Sequence, residues 1–189
     1  GIYAQRYDAA GAAVGPELHV NTFTLGDQRR PSVGIDDDGN FVVAWGSQVG
    51  LSRYDIRARL YDAAGTALGP EFIVNVEATA NLKKPAAAMA PDGTFAVVWS
   101  SDALDWAGED VYTRLYDADG EPCGDPMRMD LYRLGAQWYP AVAAGADGTF
   151  VAAWESEGQD GDSFGIVARR MDISDTSHGL LLGDGEVVT

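Results

Sequence analysis

The sequence predicts an all-β protein assembled from repeated four-stranded antiparallel units. Three observations carry this reading. Tyr7-Asp8-Ala9-Ala10-Gly11 recurs as Tyr61-Asp62-Ala63-Ala64-Gly65 and as Tyr116-Asp117-Ala118-Asp119-Gly120. Asp38-Gly39-Asn40-Phe41 recurs as Asp92-Gly93-Thr94-Phe95 and Asp147-Gly148-Thr149-Phe150, and Trp45, Trp99 and Trp154 follow at one fixed distance. The copies are spaced by 54 and then 55 residues, and no stretch shows a helical period. Self-similarity at such a period is the signature of a repeat architecture.

Each copy reads as four short strands. The first spans Ile2 to Tyr7, with Ile56 to Tyr61 and Val111 to Tyr116 as counterparts, and alternates apolar with polar residues as a half-exposed strand does. Asp-x-x-Gly then turns the chain. The second strand carries Leu18 and Val20, matched by Phe72 and Val74 and by Met127 and Met129, with a variable, outward residue between them. A proline at 31, 85 and 140 precedes a third strand of small residues, which fits a place where neighbouring sheets crowd together. Asp-Gly makes a tight hairpin, because glycine accepts positive φ and aspartate bonds to nearby backbone. The fourth strand, Phe41-Val42-Val43-Ala44-Trp45 in the first copy, is apolar on both faces and is expected to be central and buried.

Four antiparallel strands in about 40–55 residues match a β-propeller blade. The expected order from the centre outward is small-residue strand, Phe/Trp strand, alternating strand and its partner. A β-trefoil is the alternative, since it also uses three four-stranded units. The repeats divide the chain at about 1–54, 55–109 and 110–164, and the surplus first strand of a fourth copy ends near Asp172. Residues 173–189 are expected to be either a degenerate tail or a last hairpin around Asp184-Gly185. Three blades do not close a ring, and unpaired ends leave strand edges that proteins normally cover. Self-association, or membership of a larger protein, is therefore expected.

Composition narrows the function classes. The chain has 189 residues, 46% of them hydrophobic, with 13 Lys+Arg against 29 Asp+Glu and a net charge of −16. This balance excludes a phosphate-gripping nucleic-acid binder. No apolar run is long enough to span a bilayer as a helix, and the start, which lacks Met, suggests a mature or excised piece. The single cysteine, Cys123, replaces Val14 and Leu68 and reads as a small apolar filler.

The blocks Asp-Gly-x-Phe-Val-Val-Ala-Trp at 38–45, Ile-x-Ala-Arg-x-Tyr-Asp-Ala-x-Gly at 56–65 and Gly-x-Glu-x-x-Val-Asn at 69–75 resemble a known bacterial repeat. It is similar to the roughly 55-residue repeats of very large secreted Gram-negative adhesins and haemolysin-type (RTX-type) calcium-binding proteins. The resemblance implies a secreted or cell-surface setting and a structural or adhesive role. The Gly-Gly-x-Gly-x-Asp nonapeptide of the RTX proteins is absent, so calcium binding by that motif does not carry over.

Candidate chemistry is sparse. Trp45, Trp99 and Trp154, with Gly39, Gly93 and Gly148, sit at fixed repeat positions and are read as structural. The ligand candidates are Trp106, Trp138 and Tyr139, aromatics that break the repeat and suit glycan or protein contact. Asp160-Gly161-Asp162 has the spacing most like a Ca²⁺ loop, and no other cofactor is expected. Arg59, Arg114 and Arg169 are expected to pair with neighbouring acids or lie over aromatic faces. No catalytic motif is present, and the two histidines, His19 and His178, have no motif partners. The expected function is a non-enzymatic, self-associating adhesive or structural unit, such as a surface filament or matrix subunit. A glycan-binding propeller lectin is the alternative, and a hydrolase domain broken out of a larger enzyme the third reading.

Overall fold

The computed structural model describes residues 1–51, 53–76, 81–102, 108–172 and 181–188, the last segment as backbone only. Among these residues there is no helix. The strands are β1 (Tyr3–Tyr7), β2 (Ala13–His19), β3 (Gln28–Ile35), β4 (Phe41–Gln48), β5 (Tyr54–Tyr61), β6 (Phe72–Ile73) and β7 (Leu82–Met89). They continue as β8 (Phe95–Ser101), β9 (Asp110–Tyr116), β10 (Met127–Arg128), β11 (Gln137–Ala144), β12 (Thr149–Glu157), β13 (Phe164–Asp172) and β14 (Leu181–Val188). They form three four-stranded antiparallel sheets, β3-β4-β5-β6, β7-β8-β9-β10 and β11-β12-β13-β14, and a two-stranded sheet, β1-β2. This is the blade-like architecture expected, and the trefoil alternative is set aside.

The sheets begin at the proline-bearing strand, so each blade takes its inner two strands from one sequence repeat and its outer two from the next. Hence β1-β2 corresponds to the outer half of a blade. The expected hairpin at the tail is instead a single strand, β14, paired with β13 and irregular between Leu182 and Glu186.

Three apolar clusters lie between successive sheets. Val42, Ala44 and Ile56 of the first four-stranded sheet meet Phe95, Val97 and Trp99 of the second. Ala96, Val98 and Val111 of the second meet Phe150, Ala152 and Trp154 of the third. Ile2 and Val20 meet Phe41, Val43 and Trp45. Strict alternation along each Phe/Trp strand thus sends the aromatic side backward and the small side forward, which is why these strands are apolar on both faces. The three repeated tryptophans are at most 2% exposed.

The other repeated residues hold the sheets in place. Gly39, Gly93 and Gly148 turn the inner hairpins at φ of 87°, 86° and 79°. Asn21, Asn75 and Asp130 each accept, through Oδ1, the backbone N–H of Ile2, Ile56 or Val111, at 2.6, 2.9 and 2.7 Å. Arg59, Arg114 and Arg169 each donate to a backbone carbonyl of the preceding sheet's outer segment: Val20, Val74 and Met129. Two of them also lie over Tyr61 and Tyr116, as expected. The inner strands approach closely, and a Cβ at Gly34 would stand 2.7 Å from the Met89 nitrogen. Cys123 packs half-buried beside the second cluster, and burial raises its thiol pKa.

Candidate functional site

All three inner strands carry the same irregularity. Register shifts interrupt β3 between Arg29 and Ser32, β7 between Lys83 and Ala86, and β11 between Trp138 and Ala141. At the centre of each shift a non-glycine residue takes left-handed backbone: Arg30 at φ 55°, Lys84 at 52° and Tyr139 at 52°. Each precedes the repeated proline, whose ring disfavours helical backbone just before it. Holding such residues in that region costs on the order of 1 kcal/mol each, and strain of this kind gathers at functional sites. Bulges of this sort re-aim side chains. Here they set Arg30, Lys84 and Tyr139 at equivalent points of three successive sheets.

The side chains around these bulges converge. Lys84 Nζ lies 3.4 Å from the centre of the Tyr139 ring and 5.6 Å from that of Trp138. Arg29 lies over Tyr54 at 4.0 Å. A cavity of about 110 Å³ between the first two inner strands is lined by Arg29, Arg30, Tyr54, Asn81, Lys83 and Lys84. Glu109 serves as the carboxylate: Lys83 Nζ is 2.7 Å from Oε1, Lys84 Nζ is 3.9 Å from Oε2, and Ser100 Oγ donates to Oε2 at 2.8 Å. Asp102 shares Lys83 at 3.6 Å. The rim therefore combines aromatic faces, cations and two carboxylates bound to one lysine.

The sequence candidates divide. Tyr139 is on this rim and 58% exposed, with Trp138 beside it, half-buried and stacked on Phe164 at 5.2 Å. Trp106 and His178 lie outside the described residues. Asp160 and Asp162 form the β12–β13 turn, where the Asp162 N–H donates to Asp160 Oδ1 at 3.2 Å and the Ser163 N–H to Asp162 Oδ1 at 2.8 Å. No group of three or more His, Cys, Asp or Glu side chains is poised for a metal among the described residues. His19 stacks on Tyr3. Sequence reasoning missed Arg30, Lys84 and Glu109. The signal for the first two was available: each lies one residue before a repeated proline, as Tyr139 does.

No protein-family model and no curated protein sequence matches the chain. Solved structures do resemble it. One is a protein of unknown function from Dyadobacter fermentans, with TM-score 0.64, 11% identity and coverage of 99% of this chain and 52% of that one. An endo-arabinase from Bacteroides thetaiotaomicron gives TM-score 0.51 at 12% identity over 84% of this chain and 61% of the other. A GH43_1 enzyme from Xanthomonas citri gives 0.52 at 16% identity over 85% and 55%. The chain thus spans between half and two thirds of the length of these proteins. At such identities the likeness shows the fold alone, a β-propeller. It also corrects the functional expectation. The expected non-enzymatic adhesive or filament unit is not what this arrangement of blades resembles, since glycoside hydrolases recur among its structural neighbours.

Proposed function

We propose that this chain forms the larger part of a carbohydrate-acting β-propeller, with the sugar lying across the rim of left-handed bulges. The supporting observation is the alignment of Arg30, Lys84 and Tyr139, each held at a strained backbone point on adjacent inner strands. Pyranose rings present flat C–H faces that stack on aromatics, and hydroxyls that bond to cations and carboxylates. Tyr139 and Trp138 offer the faces; Arg30, Lys84 and Glu109 offer the polar partners. Bond cleavage needs a pair of carboxyl groups. Glu109 and Asp102, joined through Lys83, are the pair on this rim. The extracellular setting expected from the sequence belongs to the same proposal, because polymeric glycans lie outside cells.

The test is a glycan-binding panel that includes arabinan and xylan, run on the parent chain and on Lys84→Asn and Tyr139→Asn. Asparagine tolerates left-handed backbone, so both variants should keep the parent melting point. Each should weaken binding of any captured glycan about tenfold or more. Reducing-sugar release, lost in Glu109→Gln and Asp102→Asn, would extend the reading to hydrolysis. Unaltered binding in both asparagine variants would place the sugar elsewhere.

A further inference from the structure

Among the described residues the β1-β2 sheet has the outer half of a blade and no inner half, and the space left is shaped. Val33 and Ile35 of β3 are each 62% exposed. Their counterparts in the second blade, Ala87 and Met89, are 6% and 7% exposed, because the first blade's inner strands cover them. Pro31 is exposed, whereas Pro85 and Pro140 are buried. A cavity of about 670 Å³ lies there, between Tyr3, Tyr7 and Val14 on one side and Val33, Ile35 and Phe41 on the other. Along its flank β1 has a partner on one edge, β2, while its counterparts β5 and β9 are paired on both.

The occupant is identified by an aromatic pair. In the first blade, Phe41 of the Asp-Gly-x-Phe hairpin stacks on Tyr61 at 4.9 Å and 6°. In the second, Phe95 stacks on Tyr116 at 4.7 Å and 3°. Tyr7 is the equivalent tyrosine and is 65% exposed. The groove also continues an established interface, since Phe41 and Val43 at its floor already pack against Ile2 and Val20.

We propose that this groove is a docking site for one kind of partner: a β-hairpin of the repeat's own inner-strand type, bearing Asp-Gly-x-Phe. Its Phe/Trp strand pairs with the open edge of β1, and its phenylalanine stacks on Tyr7. Its small alternate residues cover Val33 and Ile35, as Val42 and Ala44 face the second blade. Backbone hydrogen bonds supply affinity and the pockets supply register, the logic of strand addition. This inference stands apart from the carbohydrate reading, because none of its residues belongs to the bulge rim cluster of Lys84, Tyr139 and Glu109.

A synthetic peptide of residues 28–48 is the probe. Titrated onto the full chain, it should raise the melting midpoint progressively with concentration, as any ligand of the folded state does. The same peptide carrying Phe41→Ala, or a chain carrying Tyr7→Ala, should bind at least tenfold more weakly. Tyr7 is exposed, so its removal should leave the free chain's melting point unchanged. Because short hairpins aggregate, a second form places residues 28–53 directly ahead of Gly1. It should melt higher than the parent, and higher than a fusion carrying the scrambled segment. Equal effects from scrambled and authentic segments would overturn the proposal. So would a chain that dimerises through this groove and retains its dimer at saturating peptide, since the occupant would then be a second copy.

Discussion

Exchanging one residue between blades tests how the buried tryptophans are held. Trp45 Nε1 donates to Gln28 Oε1 at 2.9 Å, and Trp154 Nε1 donates to Gln137 Oε1 at 3.0 Å. The counterpart in the second blade is Leu82, and Trp99 Nε1 has no hydrogen-bond partner among the described residues. Gln28→Leu copies the second blade's arrangement into the first. It leaves a buried indole N–H unpaired, which costs about 1–3 kcal/mol. Leucine at this half-buried site returns about 1 kcal/mol through apolar burial. The Gln28 amide also loses its bond to the Leu25 carbonyl, 3.0 Å away, worth about another 1 kcal/mol. The net expectation is a loss of about 2 kcal/mol. For a chain of this size that lowers the melting midpoint by about 4–8 °C. Thermal unfolding followed by circular dichroism measures it. Repeating the exchange in a Trp45→Phe background removes the N–H, so the cycle should show a coupling of about 1–2 kcal/mol. A Gln28→Leu chain as stable as the parent, or a cycle without coupling, would refute the reasoning.

Three further outcomes are expected. Gly34→Ala forces a Cβ to 2.7 Å from the Met89 nitrogen and 2.8 Å from the Ala88 carbonyl carbon, so the inner strands must separate, with a loss of about 2 kcal/mol or more in urea unfolding. Burial first, against a smaller opposing effect of Arg114, pushes the Tyr116 phenol up to about 12, from an ordinary value of 10.0. Its contribution is complete below pH 10 and is lost as pH rises toward 12; a shift of this size is worth about 2–3 kcal/mol, and alkaline titrations of Tyr116→Phe should show a shallower fall than the parent over that window. Arg114→Lys keeps the charge but loses the fork that spans the Gly124 and Val74 carbonyls, at 3.0 Å each, and should lower the melting midpoint by a few degrees.

The fold was legible because its unit is copied. Period, Asp-Gly turns and the two-faced Phe/Trp strand were enough to place four strands per repeat and their order in a sheet. The phase was harder to read. A repeat boundary drawn in sequence has no physical privilege, whereas a sheet boundary falls where the hydrogen-bond ladder breaks, at the segments before Gln28, Leu82 and Gln137. The arginines show a second limit. Their charge suggested acidic partners, yet Arg59 and Arg114 reach carbonyls 39 and 40 residues back, which only the stacking of sheets brings near. Of the candidate site, Tyr139 was found because it departs from the pattern. Arg30 and Lys84 were hidden because they obey it. The structure assigns them interest through backbone strain, a property no residue name displays.

The forward face of the third blade differs in chemistry from those of the first two. Forward contacts of the first two blades include Val42, Ile56 and Leu60, then Ala96, Val111 and Leu115. In the third blade the equivalent positions are Val151, Ile166 and Arg170, and Glu155 shares the Val151 side of β12 by alternation. Val151 and Ile166 are each 45% exposed, and a carboxylate and a guanidinium lie on the same face. A neighbour packed there as the second blade packs on the first would bury both charges. Breaking or mispairing buried charges costs several kcal/mol, more than the two aliphatic side chains would return. The opposite end poses the reverse problem. Its groove is apolar, but β1-β2 already fills the outer half of the space a blade would need. An intact four-stranded sheet would compete with β1-β2 for that space, whereas a two-stranded hairpin would not. The two outer faces therefore differ in chemistry: one is apolar and half filled by β1-β2, the other sets Glu155 and Arg170 among aliphatic side chains, so a contact that suits one does not transfer unchanged to the other.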